Sequence, residues 1–249
     1  MSESIRTLLF SVVLCLICGT LLTAASSGLK EIQQKNMTID QRKNILQSVG
    51  LVKTDRQYTG DEINRTFEQK ISRLVVDQTG SVIPSSETGG AKSETELPIY
   101  LYTNEDKQVE AYVIPIDTRG LWGKIYGYLA LKSDGATISG FTIYKHSETP
   151  GLGGEIEQNW FQRNFVGKKI IGPEGEFVSI AVAKGKADDS VPKDRRPNYV
   201  DGISGATLTG KFLTQGLKEI LTSYEGVSVT FRNTKEYCKT NKETPWCRK

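Results

Sequence analysis

Two glycine-rich segments contain the residues best suited to chemistry. HSETPGLGGE occupies residues 146–155, and DGISGATLTG occupies residues 201–210. Each segment lies between a predicted strand or loop and a predicted helix, where backbone amides can face an anion. Because glycine has no Cβ, a ligand can lie close to the backbone at such positions. The spacing is consistent both with ordinary turns and with an anion site.

The second segment places a hydroxyl-bearing residue, Thr207, directly after three small residues. These are Ser204, Gly205 and Ala206. One interpretation is that a hydroxyl caps a helix that begins near Gly210, with Ser204, Thr207 and Thr209 as the candidates. The other interpretation puts an anionic group at the helix N-terminus, where free N–H groups and the helix dipole favour negative charge. A phosphate esterified to the Thr207 hydroxyl is consistent with both.

The first segment contains the only histidine of the chain, His146, with Glu148 two residues later. Gly151 and Gly153 do not form a dinucleotide fingerprint, because the third glycine of GxGxxG would fall on Ile156. The spacing around His146 gives no Ser-His-Asp arrangement and no pair of convergent carboxylates. We therefore predict no catalytic residue on this chain. Beside a ligand, His146 would form hydrogen bonds or polarise it.

The composition argues against several functional classes. The 249 residues are 37% hydrophobic and 24% charged, enough for one sizeable core or two small ones. Lys and Arg exceed Asp and Glu by only 32 to 29, and the excess is spread along the chain, which argues against nucleic acid as a partner. Neither a nicotinamide fingerprint, nor iron–sulfur cysteine spacing, nor a metal-binding Cys/His pattern is present. A stand-alone reductase is therefore not predicted.

An uncharged apolar run covers residues 7–25. Nineteen residues in a helix nearly cross a bilayer core of roughly 30 Å. The run is longer than a usual signal-peptide core, so an uncleaved anchor is favoured over cleavage near residues 24–26. One basic side chain, Arg6, precedes the run and four lie within residues 30–43, so charge alone does not determine the orientation.

The hydrophobic periodicity predicts the elements that position these segments. A stalk helix follows the anchor and ends at Gly50, and a second helix begins near Asp61 with Leu74 on its apolar face. The predicted strands cover 97–102, 109–115, 124–132, 136–145, 168–171 and 176–184. A helix over 155–166 is expected to bury Trp160, Phe161 and Phe165, and another follows residue 210. This order predicts an α+β fold with a mainly antiparallel sheet and flanking helices.

Two cysteines, Cys238 and Cys247, close a short loop near the C-terminus. A disulfide there would be typical of an oxidising compartment outside the cytoplasm. Two free thiols fit the same spacing, so both alternatives stay open.

Four stretches resemble the C subunit of the bacterial sodium-translocating NADH:quinone oxidoreductase, and the resemblance covers nearly the whole chain. They are QRKNILQSVGL at 41–51, GLWGKIYGYLAL at 120–131, HSETPGLGGEI at 146–156 and DGISGATLT at 201–209. The pattern D-x-x-S/T-G-A-T is similar to the signal at which a flavin transferase attaches FMN. In that signal the last threonine carries the flavin through a phosphoester bond.

The resemblance implies a role for each matching residue. Thr207 would be the covalent attachment site of FMN. The motif residues around the attachment point are Asp201, Ser204, Gly205, Ala206 and Leu208. The segment that would lie beside the isoalloxazine ring contributes His146, Glu148, Thr149, Gly151, Leu152 and Gly153.

The resemblance also implies an architecture in the bacterial inner membrane with a periplasmic flavin domain. Its expected segments are 1–28 (cytoplasmic tail and transmembrane anchor), 29–96 (helical stalk and linker), 97–232 (FMN-binding domain) and 233–249 (C-terminal tail). FMN would relay electrons from an iron–sulfur centre towards a second covalent FMN in a neighbouring subunit. Sodium export would be coupled elsewhere in a complex that reduces ubiquinone.

Two other functions share part of these features. The G subunit of a related ferredoxin-dependent ion-translocating complex has the same small motifs, although QRKNILQ and GLWGKIYG favour the quinone reductase. An anchored extracytoplasmic binding module without a cofactor would have the glycine-rich segments as turns only.

Overall fold

The structure is a computed structural model that describes residues 3–83, 96–241 and 244–247. The chain forms two compact units, Met1–Gln41 and Arg42–Lys249. The predicted stalk and linker segment, residues 29–96, lies in part outside the described residues. The four-segment division of the chain stays a prediction.

The helices and strands alternate irregularly along the chain. The α-helices are α1 (Glu3–Ser48), α2 (Gly60–Lys70), α3 (Asn159–Arg163), α4 (Ala187–Ser190), α5 (Thr207–Ser223), α6 (Glu225–Arg232) and α7 (Thr234–Thr240). The strands are β1 (Ile71–Val76), β2 (Val82–Ile83), β3 (Leu97–Thr103), β4 (Val109–Arg119), β5 (Lys124–Lys132), β6 (Ile138–Lys145), β7 (Ala181–Val182) and β8 (Tyr199–Val200). The described residues also form 3-10 helices at Gly153–Glu157, Lys193–Asn198 and Pro245–Cys247.

The first unit consists of the greater part of α1. An 18-residue window of this helix has a mean hydropathy of 2.5, and none of that window is buried within the protein. Length and composition therefore suit a membrane anchor. The predicted anchor and stalk form one helix in the structure, since α1 ends only at Ser48.

The second unit is built on a six-stranded antiparallel sheet in the order β2-β1-β3-β4-β5-β6. The predicted α+β fold is confirmed. Short connections explain the antiparallel pairing of β1 with β2 and of β3, β4, β5 and β6 with one another in sequence order. In the β5–β6 turn the Asp134 carboxylate accepts the N–H groups of Ala136 at 2.9 Å and Thr137 at 2.8 Å.

One face of the sheet packs against the C-terminal helices. Tyr112 of β4 stacks on Phe231 of α6 with ring centroids 4.3 Å apart, and its hydroxyl lies 2.9 Å from Ser228 Oγ. Gly216 of α5 lies against Thr118 of β4, where a Cβ would overlap the threonine side chain. This contact brings α5 close to the sheet and fixes its position above β4.

The opposite face is covered by residues 42–48 and by α2. The Thr142 hydroxyl of β6 donates to the Asn44 carbonyl at 3.3 Å, and Phe67 of α2 meets Tyr100 of β3 edge to face. The sheet is therefore the middle of three layers, which explains why so many β4 and β5 side chains are buried.

Several predicted elements are wrong in detail. Leu74 lies in strand β1, because α2 ends at Lys70. Trp160 is 47% exposed, whereas Phe161 and Phe165 are buried as predicted. The strands predicted at 168–171 and 176–184 are reduced to isolated bridges and the two-residue strand β7, which pairs in parallel with β8. Apolar alternation indicates burial at these positions but not strand pairing.

Helices α6 and α7 continue the chain beyond the predicted elements, and a disulfide joins Cys238 to Cys247 with Cα atoms 5.2 Å apart. Trp246, next to that disulfide, is buried and lies 5.2 Å from the ring of Phe231. The disulfide holds the C-terminal turn against the core that covers the sheet.

Candidate functional site

The N-terminus of α5 presents Thr207 to solvent. The helix begins at Thr207, the preceding N-cap residue is Ala206, and Gly205 has φ +75°. Among the described residues, no side chain caps this terminus. The capping interpretation is therefore wrong. The first N–H groups of a helix have no partner within it, so the exposed end of α5 suits an anion.

Thr209 is directed into the protein rather than towards the helix end. It is 2% exposed, and its hydroxyl donates to Glu148 Oε2 at 2.6 Å. Glu148 is itself only 4% exposed, and its Oε1 accepts the backbone N–H of Trp122 at 2.9 Å. The carboxylate therefore joins both glycine-rich segments to the β4–β5 turn.

Two glycines make room for this carboxylate. A Cβ on Gly120 would lie 2.5 Å from Glu148 Oε1, and a Cβ on Gly153 would lie 2.7 Å from Oε2. The Gly153 Cβ would also lie 2.5 Å from the Thr209 hydroxyl oxygen. Close packing against Glu148 therefore explains why glycine occupies positions 120 and 153. The spacing of the glycines in the sequence does not show this requirement.

A second contact between the two segments joins Leu152 and Gly205. The nearest Leu152 side-chain carbon lies 2.8 Å from the position that a Gly205 Cβ would take. The 149–154 turn that carries Leu152 is closed by the Thr149 carbonyl, which accepts N–H groups from Leu152 at 3.1 Å and Gly154 at 2.9 Å. The structure thus brings together the two segments that the sequence singled out.

His146 has both ring nitrogens engaged within the protein. Its Nδ1 accepts the Glu148 backbone N–H at 3.0 Å, so Nε2 carries the hydrogen that it directs at Glu157 Oε2, 3.1 Å away. These contacts orient the loop that contains Glu148.

Asp201 contacts the neighbouring segment. Its Oδ1 accepts the Ala187 N–H at 2.7 Å, at the first residue of α4. Of the other motif residues, Ser204 and Leu208 are exposed beside Thr207, and Ala206 is buried. Asp201 therefore supports the fold of the segment that precedes the exposed turn.

Two cavities flank α5. One of about 630 Å³ lies between the helix and the β4–β5 turn and includes Leu121 and Trp122. Another of about 550 Å³ is bordered by Thr207 and by three lysines, Lys184, Lys211 and Lys218. Both volumes lie in the range typical of ligand sites.

The electrostatics of the two cavities differ. In the first, the hydrogen bond from Lys124 to Asp117, at 2.9 Å, raises the pKa of Lys124 and pairs its charge. The second is bordered by three lysines as well as by Thr207, and Lys211 follows Thr207 by about one helical turn, so the positive charge along this cavity favours an anion such as phosphate.

Part of this arrangement lies outside the residues that the sequence predicts. Trp122, which is 69% exposed, belongs to a resembling stretch but is not among the predicted site residues, and neither are the lysines of the second cavity. In the sequence, the two glycines of GLWG are the signal that could have identified Trp122 as a site residue. Lys184 gives no such signal, because it is far in sequence from α5.

Comparison with known proteins identifies similar chains. Residues 120–222 match the family described as FMN-binding domain. The C subunit of the Na(+)-translocating NADH-quinone reductase of Yersinia pestis is 32% identical over 229 residues, which cover 82% of this chain and 83% of that one. The corresponding protein of Neisseria meningitidis serogroup A is 34% identical over 230 residues, with coverages of 82% and 84%.

A solved structure supports the same relationship. The crystal structure of the C subunit of the Na(+)-translocating NADH-quinone reductase from Parabacteroides distasonis superposes with a TM-score of 0.68 at 30% identity. The match covers 80% of this chain and 96% of that chain.

Proposed function

The chain belongs to the family of Na(+)-translocating NADH-quinone reductase C subunits, and we propose that its Thr207 carries FMN through a phosphoester bond. It is a flavoprotein subunit of this oxidoreductase complex, and its N-terminal apolar helix suits membrane attachment. The observation that carries the proposal is the exposed Thr207 hydroxyl at the uncapped start of α5.

The attachment needs little from this chain beyond an accessible hydroxyl and a favourable electrostatic setting. Thr207 Oγ1 would form the new bond to the phosphorus of the flavin nucleotide, and the bond from that phosphorus to the leaving group of the flavin donor would break. The hydroxyl proton would pass to the leaving group or to a base of the flavin transferase. The resulting phosphodiester is an anion at the end of a 17-residue helix. Helix N-termini stabilise such charge by about 0.3–1 kcal/mol.

The residues around Thr207 suit a flavin. When bound, FMN supplies one-electron transfer, and the protein holds the ring and tunes its surroundings. Trp122, Leu152 and Leu208 present exposed apolar surface on the three segments of the site. Such side chains can pack on the ring, because aromatic and aliphatic groups pack favourably on a flat apolar system.

In the complex, this protein would accept electrons from an iron–sulfur centre and pass them to a second covalent FMN in a neighbouring subunit. The flavin domain would lie on the periplasmic side, to which the disulfide of Cys238 and Cys247 is suited. A covalent tether keeps the cofactor on the chain when binding contacts change during turnover.

The attachment site is tested by producing the full chain with a flavin transferase and exporting it. We expect wild-type protein to carry the added FMN mass and to fluoresce in a gel after denaturation. Thr207→Ala should abolish both signals, whereas Thr209→Ala should still acquire FMN on residue 207. Flavin retained on Thr207→Ala and lost from Thr209→Ala contradicts the assignment. Colourless wild-type protein would favour the cofactor-free binding module.

A further inference from the structure

The carboxylate of Glu148 joins parts of the chain that are distant in sequence. It accepts from Thr209, 61 residues away, and from the backbone N–H of Trp122, 26 residues away. The three joined segments are the start of α5, the β4–β5 turn and the 146–153 loop. Each of the three carries a residue proposed above to contact FMN.

The contact with Thr209 sets the rotation of α5 about its axis. Successive helical residues are separated by about 100°, so side chains two apart point in nearly opposite directions. Thr209 is buried on Glu148, and Thr207, two residues earlier, is exposed. Holding Thr209 on the carboxylate therefore directs Thr207 outwards.

The carboxylate is also held firmly in place. An unpaired buried donor costs about 1–3 kcal/mol, and loss of the carboxylate would leave the buried Thr209 hydroxyl without this partner and would also remove the acceptor of the Trp122 N–H. Gly120 and Gly153 enclose the carboxylate oxygens and leave little room for another arrangement.

We infer that Glu148 is a positioning residue for flavin attachment, acting through Thr209 to present the Thr207 hydroxyl to the transferase. This inference rests on the proposed function. Glu148 is 4% exposed and both of its oxygens accept from protein donors, so it acts through these contacts rather than by touching the flavin.

A glutamine at position 148 can reproduce both contacts without the carboxylate. Its carbonyl oxygen accepts the Trp122 N–H, and its amide donates to the Thr209 hydroxyl, which can also accept. Alanine reproduces neither. A matched pair exists at Thr209, where serine keeps the hydroxyl and valine keeps the shape without it.

The experiment measures the rate of flavin attachment to the full chain. The chain is made first, flavin transferase is induced afterwards, and intact mass follows the flavin-bearing fraction with time. We expect Thr209→Val to slow attachment about tenfold, as loss of one buried hydrogen bond would, and Glu148→Ala, which loses both contacts, to slow it at least as much. Glu148→Gln and Thr209→Ser should stay within about twofold of wild type, because they keep the hydrogen bonds. Thermal unfolding checks that each variant is folded at the assay temperature.

Attachment to Glu148→Ala at the wild-type rate overturns the inference, as does Glu148→Gln being as slow as Glu148→Ala. If Glu148→Ala does not fold, the comparison of Thr209→Val with Thr209→Ser tests the inference instead. Equal rates of flavin attachment to these two variants would overturn the inference. Failure of the proposed function is separate, because it appears as flavin on Thr207→Ala whatever the rates of these variants.

Discussion

At the scale of single residues, the site depends on two glycines as much as on the side chains that form hydrogen bonds. Gly153 lies where a Cβ would approach both Glu148 and Thr209. Gly151, two residues earlier, has φ +74°, and nothing lies within 4 Å of the position that a Cβ would take there. The first glycine is therefore required by packing and the second by backbone conformation.

Gly153→Ala should lower the free energy of unfolding by about 1–3 kcal/mol, the range for overpacking a tight site. In a Thr209→Ala background, the destabilisation caused by Gly153→Ala should be smaller by at least about 0.5 kcal/mol, because the Thr209 hydroxyl that the new Cβ would contact is then absent. Denaturant unfolding of the two single variants and the double variant measures this coupling.

Gly151→Ala provides the control for that cycle. Its cost comes from the positive φ, so it should be additive with Thr209→Ala. Additive behaviour of Gly153→Ala as well would show that the Thr209 hydroxyl does not limit the space at residue 153.

At the scale of elements, the β5–β6 turn shows how one carboxylate organises a hairpin. Burial raises the pKa of Asp134, but hydrogen bonds from Thr137 and Ala136 outweigh burial, and Lys132 adds to them, so the pKa lies below its usual value of 3.8. A lowered pKa in the folded state means that the turn is stabilised when Asp134 is ionised.

The stabilisation by Asp134 should be complete above about pH 4 and should be lost as the pH falls through the folded-state pKa. Asp134→Asn removes this titration and weakens the contact with the Thr137 hydroxyl, so it should cost about 1 kcal/mol near pH 7. Denaturant unfolding of both proteins at several pH values tests this. The difference between them should narrow towards pH 3, and a constant difference would contradict the assignment.

At the scale of the whole molecule, the four cysteines of the chain fall into two groups. Cys15 and Cys18 are free and lie in the apolar part of α1, whereas Cys238 and Cys247 are joined. A disulfide in the C-terminal turn is expected to form where the compartment is oxidising. The pairing thus bears on which side of the membrane the flavin domain lies.

In cells, Cys238 and Cys247 should resist alkylation until a reductant is added, if the flavin domain is periplasmic as proposed. Alkylation followed by peptide mass measurement gives the state of each cysteine. The matched control is the same chain without residues 3–25, which should stay in the reducing cytoplasm and be alkylated at both positions without reductant. Free thiols in the full chain would argue for a cytoplasmic domain.

The sequence by itself determined the features that depend on neighbouring residues. Apolar alternation predicted β3, β4, β5 and β6, a charge-free run predicted the anchor, and the DGISGAT pattern singled out Thr207. Each of these signals is local: alternation repeats with a short period along one strand, the charge-free run lies within one helix, and DGISGAT is a contiguous segment.

Only the tertiary structure decided how the chemistry-bearing segments meet. Thr209 was a candidate cap by its spacing, but it binds Glu148 because packing of α5 on β4 brings the 146–153 loop to that side. Strand signals at 168–171 and 176–184 failed for a related reason, since pairing requires a partner that periodicity does not specify. Contacts across 61 residues depend on the packing of whole elements, and local sequence does not encode them separately.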